Sequence, residues 1–184
     1  MGTYLGSERV ILNMPKERDS GILGTIIDRT ISEYENPFVS EIGTYAFANC
    51  SNLASVNLPQ VTSIRNFAFY HCSSLASISL PQATTIGEYA FDDCETLISI
   101  SLPQVTIIEH FAFAYCYNLL SLYLLGSSIP TLTTTAFNST PISTYTTSTG
   151  GIYGSIYVPA SLYSDYLIAS GWSTYSERIV SIGD

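Results

Sequence analysis

From residue 42 to residue 124 the chain repeats one phrase at a constant step of 22 residues, and few folds accept such a repeat. Cysteine falls at Cys50, Cys72, Cys94 and Cys116, and phenylalanine at Phe47, Phe69, Phe91 and Phe113, each after an alanine. Isoleucine keeps the step at Ile42, Ile64, Ile86 and Ile108, and leucine at Leu58, Leu80, Leu102 and Leu124. An incomplete unit precedes these, with Ile31, Pro37 and Val39 in the phases of Leu53, Pro59 and Val61. After Leu124 the spacing stretches by two residues, so that Leu132, Ala136 and Phe137 carry the pattern on. A unit this short cannot bury its own apolar face, so the copies must stack to form a core.

Each unit holds two periodicities. In LASVNL, LASISL, LISISL and LLSLYL apolar residues alternate with polar ones, the period of a half-buried strand. This alternation predicts Ala54, Val56 and Leu58 facing inward. It sends two polar columns outward: Ser55, Ser77, Ser99 and Ser121, then Asn57, Ser79, Ser101 and Tyr123. Pro59, Pro81 and Pro103 end the strand, because proline has no amide with which to extend a ladder. The segment IGEYAFDDC and its copies space apolar residues three to five apart, which predicts a short helical or 3-10 return. Strand, turn and return make one parallel coil, and stacked coils place equivalent residues about 4.8 Å apart.

The unit I-x-x-x-A-F-x-x-C-x-x-L-x-S-[IV]-x-L-P resembles the BspA-like, or Treponema-type, leucine-rich repeats of bacterial surface proteins. The likeness covers about residues 31 to 137. It implies an α/β solenoid: a right-handed superhelix with a parallel sheet on its concave face and short helical or 3-10 turns on its convex face. It also implies a role in adhesion and surface interaction. The family has no shared catalytic site, so no functional residue carries over. The segment IYVPASLYSDYLIASGWSTYSERIVSI resembles closing segments of such arrays, some from prophage-like settings.

The ends leave the register. Residues 1–30 read as an N-terminal cap, with the charged loop MPKERDSG before a strand-like ILGTIIDRTI. Residues 31–137 form the array. Residues 138–184 hold a Ser/Thr/Gly-rich loop, a short strand SIYVP and a helix from Pro159 to Gly171 with Leu162, Tyr166, Ile168 and Ala169 on its buried face. Trp172 is placed to seal the last layer.

Composition narrows the function. Six basic residues against fifteen acidic ones, net −9, argue against binding a phosphate backbone, which needs clustered Lys and Arg. No apolar run approaches the roughly 20 residues of a membrane helix, so no membrane insertion is expected. The opening MGTYLGSERV lacks the pattern of a secretory signal, which leaves a trimmed leader or another export route.

The four cysteines stand 22 residues apart, where zinc ligands pair at short spacing, and they read as a structural column of buried thiols. His71 and His110 fall on different phases, which argues against a shared metal or acid–base role, and Asp92, Asp93 and Glu95 read as a solvated acidic group. Tyr45, Phe67, Tyr89 and Phe111 form a further aromatic column, open to packing between coils or to exposure. No nucleophile set, phosphate loop or cofactor motif is present, so the chain reads as non-enzymatic and without cofactor.

The expected binding face is the outward pair of columns, Ser55, Asn57, Ser77, Ser79, Ser99, Ser101, Ser121 and Tyr123, presented to a protein or glycan partner at a bacterial cell surface or in secreted form. The alternative is a structural spacer or a tail-associated component of a prophage-like particle.

Overall fold

The computed structural model describes residues 10–11 (backbone only), 21–24, 29–133, 135–143 and 153–183. The chain winds as a parallel β-solenoid whose coils each carry two short strands. The longer ones are β3 (Glu33–Glu35), β5 (Ser55–Asn57), β7 (Ser77–Ser79), β9 (Ser99–Ser101) and β11 (Ser121–Tyr123). The shorter ones are β4 (Glu41–Ile42), β6 (Ser63–Ile64), β8 (Thr85–Ile86), β10 (Ile107–Ile108) and β12 (Thr131–Leu132). Before the array, β1 (Val10–Ile11) pairs with β3 and β2 (Ile22–Leu23) pairs with β4; after it, β13 (Ser155–Pro159) and β14 (Ile179–Ile182) extend the long-strand side. Every pairing is parallel, and the register is the repeat itself: Ser55 lies beside Ser77, Val56 beside Ile78, Asn57 beside Ser79.

The second sheet, β2-β4-β6-β8-β10-β12, is a feature that periodicity did not reveal, because two-residue strands carry no alternation. Beside it Thr62, Thr84 and Thr106 each donate a hydroxyl to the carbonyl one coil earlier, at 3.2, 2.9 and 3.0 Å. The long-strand sheet is not continuous: it runs β1-β3-β5-β7, stops, and resumes as β9-β11-β13-β14.

Inside, the repeat becomes columns. Phe47, Phe69, Phe91, Phe113 and Phe137 stack nearly coplanar, with centroids 4.9, 5.1, 5.2 and 5.7 Å apart. Edge-on rings close the stack at both ends, Tyr34 on Phe47 and Tyr175 on Phe137. Trp172 is fully buried beside Phe137 and donates its indole N–H to the Pro130 carbonyl at 2.7 Å, so it does seal the last layer. Gly171 before it has φ +82°, and a Cβ there would lie 2.6 Å from the Leu132 carbonyl oxygen; only glycine fits that turn.

The returns expected as helical or 3-10 segments are instead chains of turns, and the reason lies in the backbone. Tyr45, Phe67, Tyr89 and Phe111, and four residues later Asn49, His71, Asp93 and Tyr115, all take φ between 54° and 61°. In the third return Tyr89, Phe91 and Asp93 donate their N–H groups to the next coil, at His110, Ala112 and Ala114, while Ala90, Asp92 and Cys94 bond three residues back. A helix would use every N–H within its own coil; this alternation spends half of them joining coils. Among the described residues helix is confined to the C-terminal closure, with 3-10 turns at Ala160–Leu162 and Trp172–Arg178 flanking α1 (Tyr163–Tyr166). The single helix expected from Pro159 to Gly171 is therefore broken, and Ile168, expected on its buried face, is 81% exposed.

One other expectation changes. Ala54 and Ala76 are exposed and Ile98 is 55% exposed, because Leu53, Leu75 and Leu97 already hold the inward position just before the strand. Alternation holds only from Ser55 to Leu58. The loop MPKERDSG, residues 25–28 of the strand-like stretch and most of the Ser/Thr/Gly loop lie outside the described residues.

Candidate functional site

The eight residues of the expected binding face fall on one side of the long-strand sheet, in two adjacent columns. The first runs Ser55 beside Ser77 and Ser99 beside Ser121; the second runs Asn57 beside Ser79 and Ser101 beside Tyr123. Asn57, Ser77, Ser79, Ser99 and Ser101 are exposed and Ser55, Ser121 and Tyr123 half-buried, while the apolar residues between them, such as Val56, Ile100 and Leu122, are buried. Parallel pairing at one register fixes this, since each side chain sits directly over its own copy.

The columns are longer than sequence reasoning placed them. Glu33 and Glu35 continue them at one end, beside Ser55 and Asn57, and Ser155 and Tyr157 at the other, beside Ser121 and Tyr123. The glutamates were findable, since Ile31 and Pro37 already set the phase of that unit. Tyr157 was not, because an irregular loop separates it from the last regular unit. Asn57 donates its side-chain amide to Glu35 at 3.2 Å, and Tyr123 stacks on Tyr157 with centroids 4.7 Å apart. That stacking turns the other face of the Tyr123 ring along the solenoid axis, toward the small side chain of Ser101. Over β3, β5 and β7 the face encloses a concavity of about 400 Å³, lined by both glutamates, Ser55, Asn57, Ser77 and Ser79.

The other candidates separate into packing and electrostatics. Cys50, Cys72, Cys94 and Cys116 form a single buried file with no disulfide among them. Cys72, Cys94 and Cys116 each donate a thiol to the carbonyl of Phe47, Phe69 and Phe91, at 3.1, 3.3 and 3.0 Å. Burial pushes the Cys72, Cys94 and Cys116 thiols well above their ordinary range, so they remain protonated. Tyr45, Phe67, Tyr89 and Phe111 stack on one another at 4.8–5.0 Å, so their ring faces are occupied by their own copies. This resolves the column as packing at a partly exposed position.

His110 pairs with Thr135 and His71 with Asp93, on different columns, as their phases predict. Asp92 departs from expectation. It is 5% exposed, not solvated, and its Oδ1 has no hydrogen-bond partner. Burial, reinforced by the adjacent Asp93 and opposed by His71, raises its carboxyl to about 6. Among the described residues no three His, Cys, Asp or Glu side chains are grouped to hold a metal ion, and no helix is long and apolar enough to cross a membrane.

Residues 39–153 match the model of the BspA type leucine rich repeat region, in six copies. The chain belongs to the BspA-type leucine-rich repeat family. Among solved structures it is similar to a leucine rich cell surface protein from Faecalibacterium prausnitzii A2-165, at 30% identity and a TM-score of 0.55, over 67% of this chain and 35% of that one. It is also similar to a leucine-rich repeat protein from Bacteroides ovatus ATCC 8483, at 31% identity and a TM-score of 0.53, over 71% and 34% of the two chains. The T. pallidum leucine rich repeat protein shares the fold, with 23% identity, a TM-score of 0.51 and coverage of 84% and 73%. This BspA-type chain spans about a third of the length of the first two neighbours. No curated protein matches it. It is a leucine-rich repeat protein of bacterial-surface type, and its family members are repeat proteins that are generally non-enzymatic.

Proposed function

We propose that this chain is a non-enzymatic binding module that presents the two outward columns of its long-strand sheet to a protein or glycan partner, at a bacterial surface or in secreted form. The observation that carries the reading is the convergence of Ser55, Asn57, Ser77, Ser79, Ser99, Ser101, Ser121 and Tyr123 on one unpartnered face beside a concavity. Hydroxyl and amide groups both donate and accept, so they suit a partner rich in polar groups. The Tyr123–Tyr157 pair adds the aromatic anchor that binding hot spots favour. Because the face is built on stacked strands, binding orders no loop and loses little conformational entropy.

Two features favour binding over catalysis: the thiols are buried and held protonated, and the two histidines stand on separate columns. The test replaces Ser79 and Ser101 by Arg and Tyr123 by Glu in one variant. Wild type and variant are compared on a printed glycan array and a panel of purified extracellular-matrix proteins. Loss of every hit with an unchanged circular dichroism spectrum supports the reading. Hits that survive the triple change reject this face, and no hit for the wild type returns the chain to the spacer role.

A further inference from the structure

One boundary between coils is held differently from the others. Across its neighbours the long-strand side is closed by ladder bonds: Leu58 N–H to Ser79 at 3.3 Å, Ala76 N–H to Ala54 at 3.0 Å, Leu102 N–H to Tyr123 at 2.9 Å and Leu120 N–H to Ile98 at 2.8 Å. Between β7 and β9 no pairing joins the strands, and the equivalent bonds from Leu80 to Ser101 and from Ile98 to Ala76 do not form. The side chains agree. Ile78 is only half-buried where Val56, Ile100 and Leu122 are buried. The rest of the boundary is intact, since β6 pairs with β8 and Phe69 stacks on Phe91. The two coils are thus joined through the phenylalanine column and the short-strand sheet and open along one side.

On the turn side the same boundary carries a titratable group. His71 of one coil meets Asp93 of the next at 2.6 Å, a pair that holds opposite charges only when His71 is protonated. Beside it stands Asp92, buried, with Oδ1 unpartnered, in a column whose other buried members are Ala48 and Ala114. Ala48 and Ala114 pack a methyl group at this position, and Tyr70, in the preceding coil, a half-buried ring. The groups around Asp92 are His71 and Tyr70 from the preceding coil, Asp93 and Cys94 from its own, and Cys116 and Tyr117 from the following one. Of these, His71 alone supplies a positive charge.

We propose that the boundary between β7 and β9 is a pH-sensitive hinge, closed when the His71, Asp92 and Asp93 cluster on its turn side carries its protons and loosened when two adjacent carboxylates face an uncharged imidazole. Both groups act in the same direction. Asp92 titrates near 6 when buried against about 3.8 in the open chain, so its stabilising contribution is complete below the ordinary carboxyl range and is lost as pH rises through about 6. The contact of His71 with Asp93, 2.6 Å across the same boundary, is an ion pair only with the imidazole protonated. Because β7 lines the concavity, opening this boundary would change the curvature of that face, but the hinge stands whether or not the face binds.

Hydrogen exchange of the intact chain, read by mass spectrometry at about pH 5 and about pH 8 and corrected for intrinsic rates, tests it. Peptides across Phe67–His71, where the Phe67, Phe69 and His71 N–H groups bond Glu88, Ala90 and Asp92 across this boundary, should lose protection at the higher pH, by up to about a hundredfold for a shift of two units. Peptides across β11 and β13 should not change. Asp92→Ala, which installs the residue found at Ala48 and Ala114, should flatten the dependence, and Asp92→Asn should do so without altering side-chain size. An equal change at both boundaries, or a dependence that survives both substitutions, overturns the proposal.

Discussion

Phe91→Ala is the substitution that most directly tests whether the core is a rigid column. Phe91 is fully buried, and its ring lies 5.1 Å from Phe69 and 5.2 Å from Phe113. Removing it leaves two rings about 10 Å apart with nothing between them. In an ordinary core the walls relax inward, and Phe→Ala costs about 3–5 kcal/mol according to how far they do. Here they are pinned. Phe69 N–H bonds the Ala90 carbonyl and Phe91 N–H the Ala112 carbonyl, both at 2.8 Å, which fixes the spacing of the coils on either side of the gap. The loss should therefore reach the top of the range, about 4–5 kcal/mol, and lower the melting temperature by roughly 10–20 °C for a chain of this size. Phe111→Ala is the matched control: its ring also belongs to a stack, 5.0 Å from Tyr89, but is half-exposed, so the expected loss is about 1 kcal/mol. Urea denaturation followed by circular dichroism measures both. A Phe91→Ala loss below about 2 kcal/mol, or one equal to that of Phe111→Ala, would refute the pinned-column argument.

Three further outcomes follow from the same geometry. Asp92→Ala should stabilise the chain at neutral pH by about 2 kcal/mol, because it removes a carboxylate held near 6 by burial, and the gain should vanish below about pH 4; denaturation midpoints across that window measure it. Cys94→Ala should cost about 1–2 kcal/mol through the lost sulfur volume and the thiol bond to Phe69, and the native thiols should react with a disulfide reagent only at the rate of global unfolding. Deleting residues 66–87 should give a folded, shorter solenoid with a denaturant slope about a tenth smaller, whereas deleting 66–86 should not fold, because every column downstream would be out of file; gel filtration and melting curves decide both.

What the sequence exposed and what it hid have one physical cause. A position whose neighbours above and below are its own copies is constrained twice over, so Phe, Cys, Ile and the serine columns announce their register by spacing alone. That is why the membership of the two outward columns could be read from spacing alone. Direction is a different matter. Alternation was extended one residue too far at Ala54, because nothing in LASVNL says that Leu53 has already turned inward before the strand begins.

The returns were misjudged for a deeper reason. Spacings of three to five suit a helix and equally suit two left-handed residues four apart; Asn49, His71 and Asp93 are types enriched at positive φ, but no composition rule singles out Phe67 or Tyr89. The choice is made by hydrogen bonds to the next coil, which a single unit does not contain. Asp92 lies between these cases. The column Ala48, Tyr70, Asp92, Ala114 was written in the sequence, and a carboxylate aligned with two alanines and a ring is a carboxylate placed where apolar groups pack. In a solenoid, then, burial is best read down the repeat, by comparing a residue with its own copies, and only afterwards along the chain.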